Sequence, residues 1–341
     1  MLYSSNMGSD HLSEVLDLIA VRGVVSGGVI VDGAWQAEAA VAEELKFCAI
    51  VRGEAWLTTD GIEEPVLLRE GEMAVLNARS WLSLQSGPAH AALAAGPGGS
   101  AGNPVTDVPQ PENGVIAPLG GADPETADAF IGGRIDLDSA GRDLLLNALP
   151  PVAHVHAGMP AARRIRGHID RLFDEITEEL PGADFAVREY SQLLILDVLR
   201  AFAAGLDVPP GWLNLLGDER LRPALDLIHQ HPETAWGLDD LSGAAAMSRT
   251  SFAVRFRDVA GMPPLTYLIR WRMLLAKREL RSADSRMRQL ASSLGYSSES
   301  SFSSAFKRNV GESPHSYRSR VRSEEESNAV SRRVTGAPSP L

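Results

Sequence analysis

The stretch Leu238-Asp239-Asp240-Leu241-Ser242-Gly243-Ala244-Ala245-Ala246-Met247-Ser248-Arg249-Thr250-Ser251-Phe252-Ala253-Val254-Arg255-Phe256-Arg257 returns about 50 residues later. There it reads Met287-Arg288-Gln289-Leu290-Ala291-Ser292-Ser293-Leu294-Gly295-Tyr296-Ser297-Ser298-Glu299-Ser300-Ser301-Phe302-Ser303-Ser304-Ala305-Phe306-Lys307. Each copy opens with apolar residues at helical spacing, breaks at a turn, and restarts at serine. Two Phe four residues apart follow, with basic residues close by. A short scaffold helix, a sharp turn and a serine-started second helix are the sequence form of a helix-turn-helix. Two copies imply contact with DNA in two places.

The side chains divide alike in both copies. In the first, Asp239 suits the start of a helix, where a carboxylate meets free N–H groups and the positive helix end. Leu241, Ala244 and Ala245 form a contact surface small enough for close helix approach, and Ser248 caps the second helix. Phe252 and Phe256 share the core face, leaving Arg249, Thr250, Ala253, Val254 and Arg257 outward. In the second copy Leu290, Ala291 and Leu294 are core, and Gly295 supplies a positive φ at the turn. Ser297 or Ser298 caps the next helix and Phe302 and Phe306 face inward. Glu299, Ser300, Ser303, Ser304 and Lys307 face outward. Between the copies, Leu265 to Leu280 reads as one long helix started by Pro263-Pro264, a rigid spacer between two readers.

Charge supports this reading once it is divided along the chain. The net charge is −12 over 341 residues. Residues 217–322 hold 17 Lys+Arg against 11 Asp+Glu, or +6, which leaves −18 for the remainder. A polyanion attracts the basic part and repels the acidic one. No apolar run reaches 18 residues, so no membrane span is expected. The polar start, Met1 to Asp10, lacks the pattern of a secretory signal. The single cysteine, Cys48, can form neither an intramolecular disulfide nor a cysteine-based zinc site. A cytoplasmic protein is expected.

Outward from the repeat, residues 11–20 have helical periodicity. From Gly23 to about Leu93, short apolar or alternating runs are separated by turn signals, Asp60-Gly61 being a strong hairpin. Such strands suggest a small β-barrel or sandwich. Residues 95–125, rich in Gly, Pro and Ala, read as a mobile loop, and Phe130 to Ile135 as one more strand. Between Ala161 and Ala204, Ile165, Ile169, Leu172, Ile176 and Leu180 mark one helix face, and Val187, Leu194, Leu196, Val198, Leu199 and Phe202 another. Two antiparallel helices are expected, as internal core or, in the preferred reading, as a dimer element. Residues 323–341 are polar and expected to be disordered.

The last 105 or so residues resemble the AraC/XylS family of bacterial transcriptional regulators. The resemblance rests on Trp271-Arg272-Met273-Leu274-Leu275-Ala276, on the whole of Leu290 to Lys307, and on Gly311-Glu312-Ser313-Pro314-His315-Ser316-Tyr317-Arg318. It implies about seven helices, each recognition helix in a major groove of double-stranded promoter DNA, with RNA polymerase as a partner. Carried over, base contacts fall on Thr250, Ala253, Val254, Ser300 and Ser304, with Glu299 and Ser303 beside them. Ala and Val can only touch a thymine methyl, and Ser reads bases weakly. Arg249 is the candidate for a hydrogen bond to guanine, with a phosphate contact as the alternative. Ser248, Arg257, Ser298, Lys307, Arg308 and Arg318 are phosphate-contact candidates, which position without specifying.

Residues 11–157 resemble the cupin-type sensor of one branch of that family. The segments concerned are Leu16 to Gly23, Lys46 to Leu57, Leu68 to Leu76 and Leu146 to Pro151. Where cupin enzymes place metal-binding His pairs, this chain has Phe47-Cys48 and Trp81-Leu82, so neither metal nor other cofactor is expected. His154-Val155-His156 places two His on one strand face, as a ligand pair or as linker. Cys48, Trp56 and Trp81 line an effector pocket or pack the core.

The sequence thus describes an α+β multidomain protein: a cupin-like small β-barrel (1–157), a helical linker that dimerises (158–216), and an all-α double helix-turn-helix domain (217–322, motifs about 239–260 and 287–310). Its function is sequence-specific, effector-responsive regulation of transcription, without enzymatic activity and as a homodimer. The alternatives are a metal-dependent cupin enzyme fused to DNA-binding helices, and a constitutive DNA-binding protein with a non-functional barrel.

Overall fold

The computed structural model describes residues 10–18, 21–87, 106–108, 116–119, 121–137, 142, 144–178, 180–204, 209–281 and 286–323. The expected disorder of the tail beyond Ser323 lies outside them. The chain forms two compact units, Ala20–Gly217 and Asp218–Leu341, and the second also contains Met1–Ile19.

The first unit is built on strands β1 (Val21–Val31), β2 (Trp35–Ala40), β3 (Leu45–Arg52), β4 (Glu54–Thr59), β5 (Val66–Arg69), β6 (Met73–Asn77), β7 (Trp81–Gln85), β8 (Thr106–Val108), β9 (Ile116–Pro118), β10 (Asp128–Leu137) and β11 (Val152–Val155). They make two sheets, ordered β11-β6-β3-β10-β1-β9 and β5-β4-β7-β2-β8. Among the described residues no ladder joins the sheets into one closed barrel. Residues 95–125, read as a loop, contain two strands. β8 and β9 add in parallel to the edges formed by β2 and β1. Backbone pairing at an edge needs no apolar pattern, so composition hid them.

Period-two alternation places the core. Cys48 and Ile50 of β3 join Val29, Trp35, Leu57 and Phe130 in the layer between the sheets. Trp35 stacks on Phe130 at 5.0 Å, and its Nε1 donates to Asp128 Oδ2 at 2.8 Å. Gly133 leaves room for the Phe47 ring, which a Cβ there would strike.

Helices α2 (Ala162–Glu178) and α3 (Ala183–Ala203) pack with these sheets. Leu194, Ile195, Val198 and Leu199 of α3 meet Leu45, Phe47, Met73 and Val75. Ile165, Ile169 and Leu172 are buried as their spacing requires, but Ile176 is half-buried and Leu180 is 48% exposed. The helix ends before Leu180, at Glu178, so the stripe no longer continues on the same face. Asp197 of α3 is buried and accepts from Arg164 (3.0 Å), Arg200 (3.2 Å) and His168 (3.2 Å). Burial would raise its pKa; the hydrogen bonds from Arg164 and Arg200 more than offset that and hold it below the usual range. His154 lies in β11, paired with β6, rather than in a linker, and its Nε2 is 3.2 Å from Glu72 Oε2. Helix α4 (Trp212–Gly217) closes the unit.

The second unit contains α1 (His11–Leu18), α5 (Arg222–Gln230), α6 (Leu238–Ala244), α7 (Arg249–Ala260), α8 (Pro264–Arg281), α9 (Met287–Ser293) and α10 (Glu299–Val310). A last helix runs over 314–323. Val15 and Leu18 of α1 are buried. His229 of α5 stacks on Trp271 of α8 at 3.7 Å and 4°. Its hydrogen bond to Glu14 is the main reason that carboxyl sits at about 2, and burial lowers the pKa of His229 itself.

Candidate nucleic-acid interface

Each helix-turn-helix is assembled from the same parts. Ser248 Oγ accepts from Ser251 N–H at 3.2 Å to start α7, and Ser298 Oγ accepts from Ser301 N–H at 3.1 Å to start α10. Such caps satisfy one of the free N–H groups at a helix start. Both helices run 12 residues and stop at a left-handed glycine, Gly261 (φ 70°) and Gly311 (φ 92°). The residue adopting that φ without a Cβ penalty is glycine.

The inward faces match in detail. Phe252 and Phe256 lie 5.7 Å apart at 55°, Phe302 and Phe306 5.8 Å apart at 55°. Tyr267 meets Phe256 edge-on at 5.7 Å, and Tyr317 meets Phe306 at 5.6 Å. All four Phe are fully buried. Buried edge-to-face aromatic contacts of this kind fix helix rotation as well as stabilise.

That rotation sets what faces out. Arg249, Thr250, Val254 and Arg257 are exposed and Ala253 half-buried on α7. On α10 Glu299, Ser300, Ser304, Lys307 and Arg308 are exposed and Ser303 half-buried. The cap serines are exposed too, and Arg318 is half-buried. Val254 stands out as a 55% exposed apolar side chain. Arg249 Nε lies 3.0 Å from Asp239 Oδ1, both well exposed. An exposed pair of this kind contributes ~0–1 kcal/mol, so the guanidinium exchanges readily to another acceptor.

Three groups, Asp218, Arg255 and Arg272, position the motifs through partners that the sequence did not indicate. Arg255, also on α7, turns the other way, with its Nη2 2.7 Å from Asp218 Oδ2, a carboxylate that is itself covered. Asp218 also accepts from Leu221 N–H, so the pair ties α7 to the start of α5. Arg272 of α8 donates to the carbonyls of Pro232 (2.6 Å) and Thr234 (2.9 Å), with its guanidinium over the Tyr296 ring at 5.7 Å. It backs the second turn at Gly295 (φ 76°). These pairs lie 24 to 40 residues apart in sequence, beyond the reach of local pattern.

In the β unit a cavity of about 170 Å³ opens between strands, lined among others by Ala37, Ala39, Phe47, Cys48, Leu84 and Phe130. Exposed Glu38 and half-buried Glu43 and Lys46 border it. Cys48 is therefore a lining residue, while half-buried Trp56 and Trp81 are not among those that line it. Burial pushes the Cys48 thiol up to about 12, away from a reactive thiolate.

A duplicated helix-turn-helix in one unit and a two-sheet β fold with a cavity in the other define the class: a DNA-binding regulator with a sensor fold. Residues 10–204 match the family model described as Cupin, and residues 241–320 match one described as Helix-turn-helix domain. A protein of Streptomyces lividans named as an AraC-like transcription regulator is 34% identical over 314 residues, 91% of this chain and 98% of that one. Its counterpart in Streptomyces antibioticus is 35% identical over 311 residues, with 91% and 98% covered. Among solved structures, the DNA-binding domain of AdpA in complex with a target DNA is 31% identical, over 31% of this chain and 96% of that one, with a TM-score of 0.30. The chain belongs to the AraC-like transcription regulators.

Proposed function

We propose that this regulator reads two successive major grooves of promoter DNA, with α7 in one and α10 in the next. The observation that carries this is the 50-residue repeat of cap, aromatic core and terminal glycine, which presents both helices by equivalent local packing. Helix α8, 18 residues long, spans about 27 Å, a length suited to grooves about 34 Å apart. Arg249, Thr250, Ala253, Val254, Glu299, Ser300, Ser303 and Ser304 face base edges. Ser248, Arg257, Ser298, Lys307, Arg308 and Arg318 hold phosphates. A cap serine can do both jobs, since its oxygen accepts from the helix while its proton is free for a phosphate oxygen.

The cavity of the β unit takes a small effector of largely apolar surface with a polar end. Its ligand shifts the population of DNA-binding-competent states through differential affinity. Leu180, Phe185 and Leu193 are exposed at 48%, 61% and 44% and supply an apolar face for a second copy. RNA polymerase is the partner at the promoter, and the protein works in the cytoplasm without catalysis of its own. Among the described residues no helix is long and apolar enough to cross a membrane.

The test is footprinting on the gene's own upstream region at low salt. Two protected half-sites about one helical turn apart support the reading; no retention at any salt overturns it. A panel of small amphipathic metabolites should contain at least one that raises the melting temperature of the chain and alters the footprint.

A further inference from the structure

Three helices of the second unit bring an unusual polar cluster under cover. Helix α1 contributes His11 and Glu14, α5 contributes Asp226 and His229, and α8 contributes Tyr267. Glu14 Oε2 lies 3.0 Å from His11 Nδ1 and 2.9 Å from His229 Nδ1. The outer nitrogens also have close polar neighbours: His11 Nε2 is 2.8 Å from Asp226 Oδ1, and His229 Nε2 is 3.0 Å from Tyr267 OH. The His229 side chain is fully buried and His11 is 6% exposed.

The protons do not balance if both imidazoles are neutral and point N–H at Glu14. His229 is then satisfied, its Nε2 accepting from the Tyr267 hydroxyl. His11 is not, because its Nε2 lone pair faces a carboxylate oxygen. His11 Nε2 and Asp226 Oδ1 are both buried and make close contact without a well-directed hydrogen bond. Reversing both tautomers replaces that clash with an attraction: it sets the Nε2–H of His11 beside the Asp226 carboxylate, 2.8 Å away, and lets the Nε2–H of His229 donate to Tyr267. Two Nδ1 atoms then offer lone pairs beside the Glu14 carboxylate, with the Glu14 and Asp226 charges to be neutralised. All three ligand atoms lie within 4.8 Å of one another.

We infer that His11, Glu14 and His229 form a binding site for a divalent transition metal of the zinc type, with Asp226 and Tyr267 orienting the two imidazoles. In a tetrahedral site with bonds of about 2.0–2.1 Å, ligand atoms stand about 3.3 Å apart. The two Glu14 contacts fall ~0.3–0.4 Å short of that edge, a change small side-chain rotations supply. Two imidazoles and one carboxylate suit Zn²⁺ better than Mg²⁺ or Ca²⁺, which prefer all-oxygen shells. A carboxylate behind a ligating imidazole is the recurring outer partner of such sites. Metal here would fasten α1 to α5 and α8 of the helical unit, joining positions 215 residues apart.

The experiment uses the tag-free full chain, stripped with chelator and then titrated with Zn²⁺ by calorimetry and with Co²⁺ by visible absorption. One equivalent should bind, with the intense d–d bands of tetrahedral Co²⁺, and Zn²⁺ should raise the melting temperature. Glu14→Gln should weaken binding at least tenfold and lose the Zn²⁺-induced rise in melting temperature, measured against its own melt in chelator. Asp226→Asn should weaken it by about 10–100-fold. His231→Gln, at an exposed imidazole on the same unit, should bind as wild type. No binding by the wild type, or equal binding by Glu14→Gln, overturns the site. If His229→Asn fails to fold, the Glu14→Gln comparison alone decides. DNA binding enters none of these readouts, so failure here leaves the promoter reading untouched.

Discussion

The two helix-turn-helix copies agree where they face inward and differ where they turn and where they face out. The Phe pairs share a 55° tilt, and each packs edge-on to a tyrosine further along the chain. The turns are not equivalent. Four residues separate α6 from α7, with Ala246 at φ 51°, whereas five separate α9 from α10, with Gly295 at φ 76°. The outward faces diverge further: Arg249, Ala253 and Val254 on one, Glu299, Ser300 and Ser304 on the other. Close packing punishes change in the core, while an outward residue is constrained only by its ligand. The copies should therefore grip DNA in the same pose yet prefer different base sequences.

The largest effect tests the shared core. Phe252→Ala and Phe302→Ala should each destabilise the helical unit by about 3–5 kcal/mol, measured by denaturant melts, and by amounts within about 1 kcal/mol of each other. A large gap between them would break the equivalence and mark one copy as loosely packed.

The turns come next, and here the copies should part. A Cβ at Gly295 would collide with the Glu233 carbonyl and sit 2.8 Å from Arg272 Nη2, in a backbone region that disfavours side chains. Gly295→Ala should cost about 3 kcal/mol, combining strain and displaced packing. Ala246→Gly relieves left-handed strain but loosens the unfolded chain, and the two terms are each about 1 kcal/mol. Its melting should shift by less than about 1 kcal/mol in either direction. Equal responses at the two turns would show that backing by Arg272 and Glu233 contributes nothing.

The outward faces give the third comparison. Arg249→Ala should cost about 1–3 kcal/mol at one base position of the first half-site and little elsewhere. Lys307→Ala should weaken all sequences alike and lower the salt slope by about 1. Uniform weakening by Arg249→Ala would move it among the phosphate contacts. Asp239→Asn, which releases Arg249 from its exposed partner, should tighten binding by no more than about fivefold.

Much of this was legible in the residues. Serine, two Phe one helical turn apart and a closing glycine specify a capped, core-facing helix, and their recurrence specifies a pair. The alternating runs around Asp60-Gly61 announced the β unit. What escaped has a physical reason in each case. β8 and β9 are held by backbone pairing at sheet edges, which leaves no side-chain pattern. The stripe through Ile165 failed at Leu180 because helix length depends on where the chain must turn. Arg255, Arg272 and the Glu14–His229 contact join residues distant in sequence, so only folding reveals the partner. Trp56 and Trp81, expected to line a pocket or pack the core, stand half-buried outside the lining of the described cavity.

The smallest effects concern the first turn of each recognition helix, and there the copies should respond with opposite sign. The first residue of α7 is Arg249 and that of α10 is Glu299. A helix start carries partial positive charge, which disfavours a guanidinium and favours a carboxylate. Glu299→Gln should therefore destabilise by about 0.3–1 kcal/mol at low salt and Arg249→Gln should stabilise by a similar few tenths, both effects fading as salt rises. The same two variants should act the other way on DNA. Removing Glu299 lowers repulsion from nearby phosphates unless its carboxylate accepts from a cytosine amino group, and removing Arg249 loses an attraction. A chain in which Glu299→Gln both melts lower and binds more weakly would place that carboxylate on a base. One that melts lower and binds more tightly would show it serving the helix alone.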